Sequence, residues 1–146
     1  MSTGTIQNEA MKVFQDIAYG KITIEFLVAA GETKVVQGQE VVLQADKTIV
    51  KRTTGAQIPL GIVEIGAKEG EYAVITVPVQ YTSEVEIDAT VVPGDFARDT
   101  GTLNADERPI FTLAASGEYS MAMVGKAGVS GDVVFVLNLK YLHQVP

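Results

Sequence analysis

Gly70-Glu71-Tyr72-Ala73-Val74-Ile75-Thr76-Val77 is the stretch whose reading decides the fold. Tyr72, Val74, Thr76 and Pro78 fall on one side of an extended chain, and Ala73, Ile75, Val77 and Val79 on the other. That period of two belongs to a strand with one face in a core. The run is expected to continue to Tyr81 as one long strand. Pro78 has no N–H to give a ladder, so it marks an edge or a bulge. Gly70 ahead of an acid predicts a tight turn: glycine takes a positive φ at little steric cost, and the acid can close the turn with its own side chain.

Working outward, the same texture covers most of the chain. Ile22, Ile24, Phe26 and Val28 alternate with Thr23, Glu25, Leu27 and Ala29. Val41-Val42-Leu43 and Thr48-Ile49-Val50 flank Gln44-Ala45-Asp46-Lys47, which reads as a hairpin turn. Further strands are expected at Ile62 to Ile65, Val85 to Ile87, Met121 to Val124 and Val133 to Tyr141. Residues 95–117, with Asp99-Thr100-Gly101 and Asn104-Ala105-Asp106-Glu107-Arg108-Pro109, read as a long surface excursion. Short strands this closely spaced predict an all-β fold, a compact β-barrel or β-sandwich.

Two stretches echo one another. Val35-Val36-Gln37-Gly38-Gln39, Gly61-Ile62-Val63 and Gly70-Glu71 with its strand recur as Val91-Val92-Pro93-Gly94-Asp95, Ala122-Met123-Val124 and Gly131-Asp132 with its strand. The expected organisation is therefore an arm with a short amphipathic helix over residues 1–20 and a β domain over residues 21–146. Within that domain, residues 35–79 and 91–139 form two similar halves. The helix rests on Ala10, Val13, Phe14 and Ile17, which make one apolar stripe, with Asn8 as N-cap and Gly20 as stop. At about three turns it needs something to pack on, its own domain or a partner.

The 146 residues suffice for a real core, and the absence of Cys excludes disulfides and thiolate metal sites. Eighteen acids against 11 bases leave a net charge of -7, with no basic cluster beyond Lys51-Arg52. Nucleic acid binding, which needs several phosphate-neutralising side chains on one face, is not expected. No apolar run approaches the ~20 residues that cross a bilayer, so no membrane partner is expected. The opening Met1-Ser2-Thr3-Gly4-Thr5 has neither a basic nor an apolar signal region, and folding in a cytoplasm is the expectation.

Catalytic chemistry finds little support. The one histidine, His143, stands near the chain end and reads as a tail residue without an orienting partner. Glu84, Glu86 and Asp88 alternate along a strand and could line one face for Ca²⁺; solvated acids are the plainer reading. Asp95 with Asp99, or Asp106 with Glu107, are the other acid pairs a hydrolase would need. No phosphate loop is present. No cofactor, catalytic residue or metal site is therefore expected. Tyr72, Tyr81 or Tyr119 would have to lie on an exposed face if the chain were a carbohydrate-binding or adhesion module, the alternative reading.

One resemblance adds to this. Val36-Gln37-Gly38-Gln39-Glu40-Val41-Val42, Asp46-Lys47-Thr48-Ile49-Val50, Ile58-Pro59-Leu60-Gly61-Ile62-Val63 and Glu69-Gly70-Glu71-Tyr72 with its strand resemble the decoration, or cement, proteins of tailed-phage capsids. The likeness covers residues 35–79, with a fainter copy to Leu139, and is one of turns and strands. It implies a non-enzymatic virion protein on the outer capsid surface, a homo-oligomer with a trimer favoured, that binds the major capsid protein and reinforces contacts between its subunits. The second copy and the helix depart from the simplest members. The expected gripping segment is the N-terminal one, through Val13, Phe14, Ile17 and Tyr19; extended, 20 residues reach about 60–70 Å.

Overall fold

A computed structural model of the chain describes residues 22–77 and 81–146. The expected arm and helix, with Val13, Phe14, Ile17 and Tyr19, lie outside the described residues, as does Pro78. The described residues form strands and turns only. In chain order the strands are β1 (Ile22–Val28), β2 (Lys34–Val35), β3 (Glu40–Leu43), β4 (Thr48–Lys51), β5 (Gly61–Ile65), β6 (Ala67–Lys68) and β7 (Tyr72–Val77). They are followed by β8 (Tyr81–Ile87), β9 (Phe96–Leu103), β10 (Pro109–Leu113), β11 (Tyr119–Val124) and β12 (Val133–Gln144).

The all-β expectation holds, with each half closing its own barrel. The first barrel runs β1-β4-β3-β5-β7 and returns to β1; the second runs β8-β10-β9-β11-β12 and returns to β8. The order is the same, and so is the sense of every pair. β1 lies parallel to β4, and β8 parallel to β10. The remaining barrel neighbours are antiparallel in both. The small ribbon of β2 and β6, which pairs Val35 with Ala67, has its counterpart in the bridge between Val91 and Gly128. Closure removes sheet edges, the feature that exposes open β proteins to unwanted strand pairing.

The two cores correspond position by position. Val28, Val35, Val41, Ile49, Val63, Ala73 and Ile75 fill the first. Ile87, Val91, Ala97, Phe111, Val124, Val134 and Val136 take the matching places in the second, with Val85 and Ala122 beside them. Volume is exchanged between neighbours: where the first barrel has Val41 and Ile49, the second has the smaller Ala97 and the larger Phe111. Swaps that conserve total volume are those a close-packed core accepts.

The glycine–acid turns close as their sequence implies. Gly38 and Gly94 have φ of 90° and 96°. Gln39 Oε1 accepts from Val36 N–H at 2.9 Å, and Asp95 Oδ2 accepts from Val92 N–H at 2.9 Å. Asp132 and Glu118 make the same bond to Val129 N–H and Ala115 N–H. In each, the residue after glycine ties the turn to the N–H three residues earlier, leaving the next residue to enter a strand. The hairpin at residues 44–47 also forms, with Lys47 N–H donating to Gln44 O at 2.9 Å and Asp46 Oδ1 accepting from the Thr48 hydroxyl at 2.6 Å.

Two expectations are corrected. The continuous strand from Tyr72 to Tyr81 is two strands of different barrels, β7 and β8, on either side of residues 78–80. The excursion over residues 95–117 is the antiparallel pair β9 and β10 of the second barrel. Its turn-forming residues are distributed differently from the reading. Asn104 to Arg108 make the tight hairpin, in which Asn104 N–H donates to Arg108 O at 2.9 Å. Asp99 and Gly101 lie within β9, where they serve the contact between the barrels.

Candidate functional site

The acidic candidates do not converge on a reaction centre. Asp95 is engaged in its turn, and Asp99 lies buried away from it. Glu84 faces Arg108, with Oε2 at 3.9 Å from Nη2, while Glu86 Oε1 accepts from Asn104 Nδ2 at 3.3 Å. Among the described residues no three His, Cys, Asp or Glu side chains are grouped to hold a metal ion. Asp106 stands in the hairpin turn, and Glu107 pairs with Lys34 across the barrels. His143 belongs to β12 rather than to a loose tail, and its ring lies 5.3 Å from that of Phe96. Tyr72 is 65% exposed, Tyr119 is half-buried, and the Tyr81 side chain lies outside the described part.

The charge cluster that does form joins the barrels. Glu40 opens β3 of the first barrel, and Asp99 lies in β9 of the second; both are 0% exposed, as is Arg52, which follows β4. The two acids embrace reciprocally. Glu40 N–H donates to Asp99 Oδ2 at 2.8 Å, and Asp99 N–H donates to Glu40 Oε1 at 2.7 Å. Asp99 Oδ1 accepts from Gly101 N–H at 2.9 Å. Arg52 supplies the balancing charge: Nη1 donates to Glu40 Oε1 at 3.3 Å, Nη2 to Tyr119 O at 2.6 Å and Gly55 O at 3.0 Å, and Nε to Thr54 O at 3.0 Å. Tyr119 N–H donates to Gly55 O at 3.0 Å, which adds a backbone bond between the barrels.

Burial dominates the electrostatics here. It raises the Asp99 carboxyl to about 8, with the Glu40 charge adding to the rise. Burial also raises Glu40, against the pull of Arg52. Glu118, at the mouth of the joint, is shifted the other way by the Ala115 N–H and by Arg98, whose Nε donates to Glu118 Oε1 at 3.2 Å. The backbones meet closely: Gly101 has φ of 81°, and a Cβ there would stand 2.7 Å from Arg52 O. Sequence reading singled out Asp99 with the wrong partner and saw Arg52 only as half of a basic pair. The partners are 59 residues apart in the chain, and no local pattern marks them.

Beside the joint lies a cleft of about 650 Å³, walled by Gly38, Glu64 and Thr76 of the first barrel and Glu84, Arg108 and Pro109 of the second. On the outside of the second barrel, β12 carries an apolar row. Val133, Phe135 and Leu137 are exposed by 38%, 43% and 37%, while Val134 and Val136 between them are in the core. Across the ladder Phe135 faces Glu84, and Leu137 faces Thr82 and Met123. Val92 and Val129 stand exposed at the neighbouring turns.

The described chain is thus a tandem β-barrel protein whose buried charges lock one barrel to the other and whose apolar row faces outward. No family model matches the chain, and no curated protein matches it in sequence. Among solved structures it is similar to the crystal structure of the head fiber gp8.5 N base of bacteriophage phi29. The TM-score is 0.54 at 11% identity, and the match covers 85% of this chain and 98% of that one. At that identity the likeness is one of fold.

Proposed function

We propose that this chain is a structural, non-catalytic protein of a phage virion that sits on the outer surface of the capsid, binds the major capsid protein and reinforces contacts between its subunits. The observation that carries the reading is the shared fold with the N base of a phage head fiber, over nearly the whole of that chain. The cement-protein pattern in residues 35–79 points the same way. The architecture suits such a role. Two closed barrels locked by a buried ionic joint make a stiff body, and the outer row of β12 offers apolar area for a protein partner.

We assign attachment to residues 1–20, through Val13, Phe14, Ile17 and Tyr19. Val13, Phe14 and Ile17, if covered by the shell, each contribute on the order of 1.5–3 kcal/mol before ordering costs. The β12 row is the self-association face, and a trimer is the favoured state. The same topology in both barrels supports an origin by duplication of one half. The test is to mix purified protein with heads that lack it: the expected result is a sedimenting complex and greater resistance of the heads to heat. Absence of a complex, with heads of unchanged stability, contradicts the proposal.

A further inference from the structure

We propose that the joint between the barrels is a proton-dependent latch: Glu40 and Asp99 share one proton while the joint is closed, and losing it loosens the first barrel from the second. The geometry makes the proton necessary. Each acid's backbone N–H donates to the other's carboxylate, which fixes both carboxyl groups within one site closed to water. The charges facing the site are Glu40 from β3, Asp99 and Arg98 from β9, Arg52 after β4 and Glu118 before β11. Two guanidinium groups face three carboxylates, so the cluster carries one excess negative charge unless one proton is retained. Arg98 and Glu118 satisfy each other at the rim, which leaves the imbalance on Glu40, Asp99 and Arg52. Glu40 Oε2 is buried with no hydrogen-bond partner among the described residues, so nothing else there neutralises it.

The direction with pH follows from the proton count. The closed joint holds a proton that an opened, hydrated joint releases, because Asp99 is raised from the ordinary carboxylate range to about 8. The latch is fully held below the ordinary range. It weakens about tenfold per pH unit as pH rises from there towards about 8, and changes little above. The pair titrates as a unit, so the proton belongs to the site rather than to one residue.

The test is amide hydrogen exchange by NMR on the full chain, with intrinsic rates corrected for pH. The protection factors of the Glu40 and Asp99 amides are expected to fall on the order of a hundredfold between pH 6 and pH 9, while those of Ile75 and Val136, in the two barrel cores, hold. Glu40→Gln is the decisive variant. Its Oε1 keeps both accepted bonds and its amide takes the place of the unpartnered oxygen, yet one acid is gone and Arg52 balances the other. The fall is expected to be smaller in it, because the Glu40 charge no longer adds to the rise of Asp99, while the part set by burial remains. A second measurement on the unaltered protein stands independently of whether the variant folds: the carboxyl carbon shifts of Glu40 and Asp99 should show a titration near pH 8. Joint amides that hold steady, core amides that fall in parallel, a Glu40→Gln protein that keeps the fall undiminished, or two carboxyls that both titrate near pH 4 would each overturn the latch.

Discussion

Arg52 donates to three carbonyl groups and one carboxylate from a site closed to water. A buried pair as a whole adds little net stability, because desolvation offsets attraction, but removing one partner strands the other charge. Arg52→Ala is therefore expected to destabilise the protein by about 3–5 kcal/mol, read as a shift in the denaturant midpoint. Gly101 makes a second residue-scale case. Gly101 and Gly94 both have positive φ, yet a Cβ at Gly94 meets open space while one at Gly101 meets Arg52 O. Placing Ala in the left-handed region costs about 1–2 kcal/mol at either site. Thermal unfolding should find Gly101→Ala clearly worse than Gly94→Ala; equal losses would show that the barrels part easily at that point.

At the scale of elements, β12 combines an inner row in the core with an outer, exposed apolar row, the proposed self-association face. Phe135→Lys sets a cation opposite Glu84 on β8, a cross-strand pairing that a strand accepts. The variant is expected to stay within about 1 kcal/mol of the parent in stability while its self-association falls, as measured by analytical ultracentrifugation. Self-association unchanged from that of the parent would move the proposed face elsewhere. Most strands were legible in the sequence because alternation and glycine–acid turns are local signals. Val134 and Val136 show the first, and Val92-Pro93-Gly94-Asp95 the second. β9 and β10 were not legible. Asp99 and Gly101 are turn-forming residue types, but here they are spent on a neighbour distant in the chain. Which of two barrels a strand joins is likewise a matter of long-range pairing, so β7 and β8 read as one run.

For the whole molecule, the matching strand order and core positions make two barrels from one plan, and one departure lies where they meet. Phe96 stands where the first barrel has Glu40, so the joint uses one copy's acid against an acid from a different position in the other. The candidate site was least legible at this scale: the apolar row is visible as alternation, yet which face points outward depends on closure. Removal of residues 1–20 belongs to this scale too. We expect a body that keeps its circular dichroism and unfolding midpoint but no longer binds heads; loss of folding would place that segment in the body's own core. The central claim, a structural role on a capsid exterior, is tested most directly by electron cryo-microscopy of heads lacking this protein after incubation with it. The account predicts ordered added density at repeated positions on the outside of the shell, and bare shells at saturating protein would contradict it.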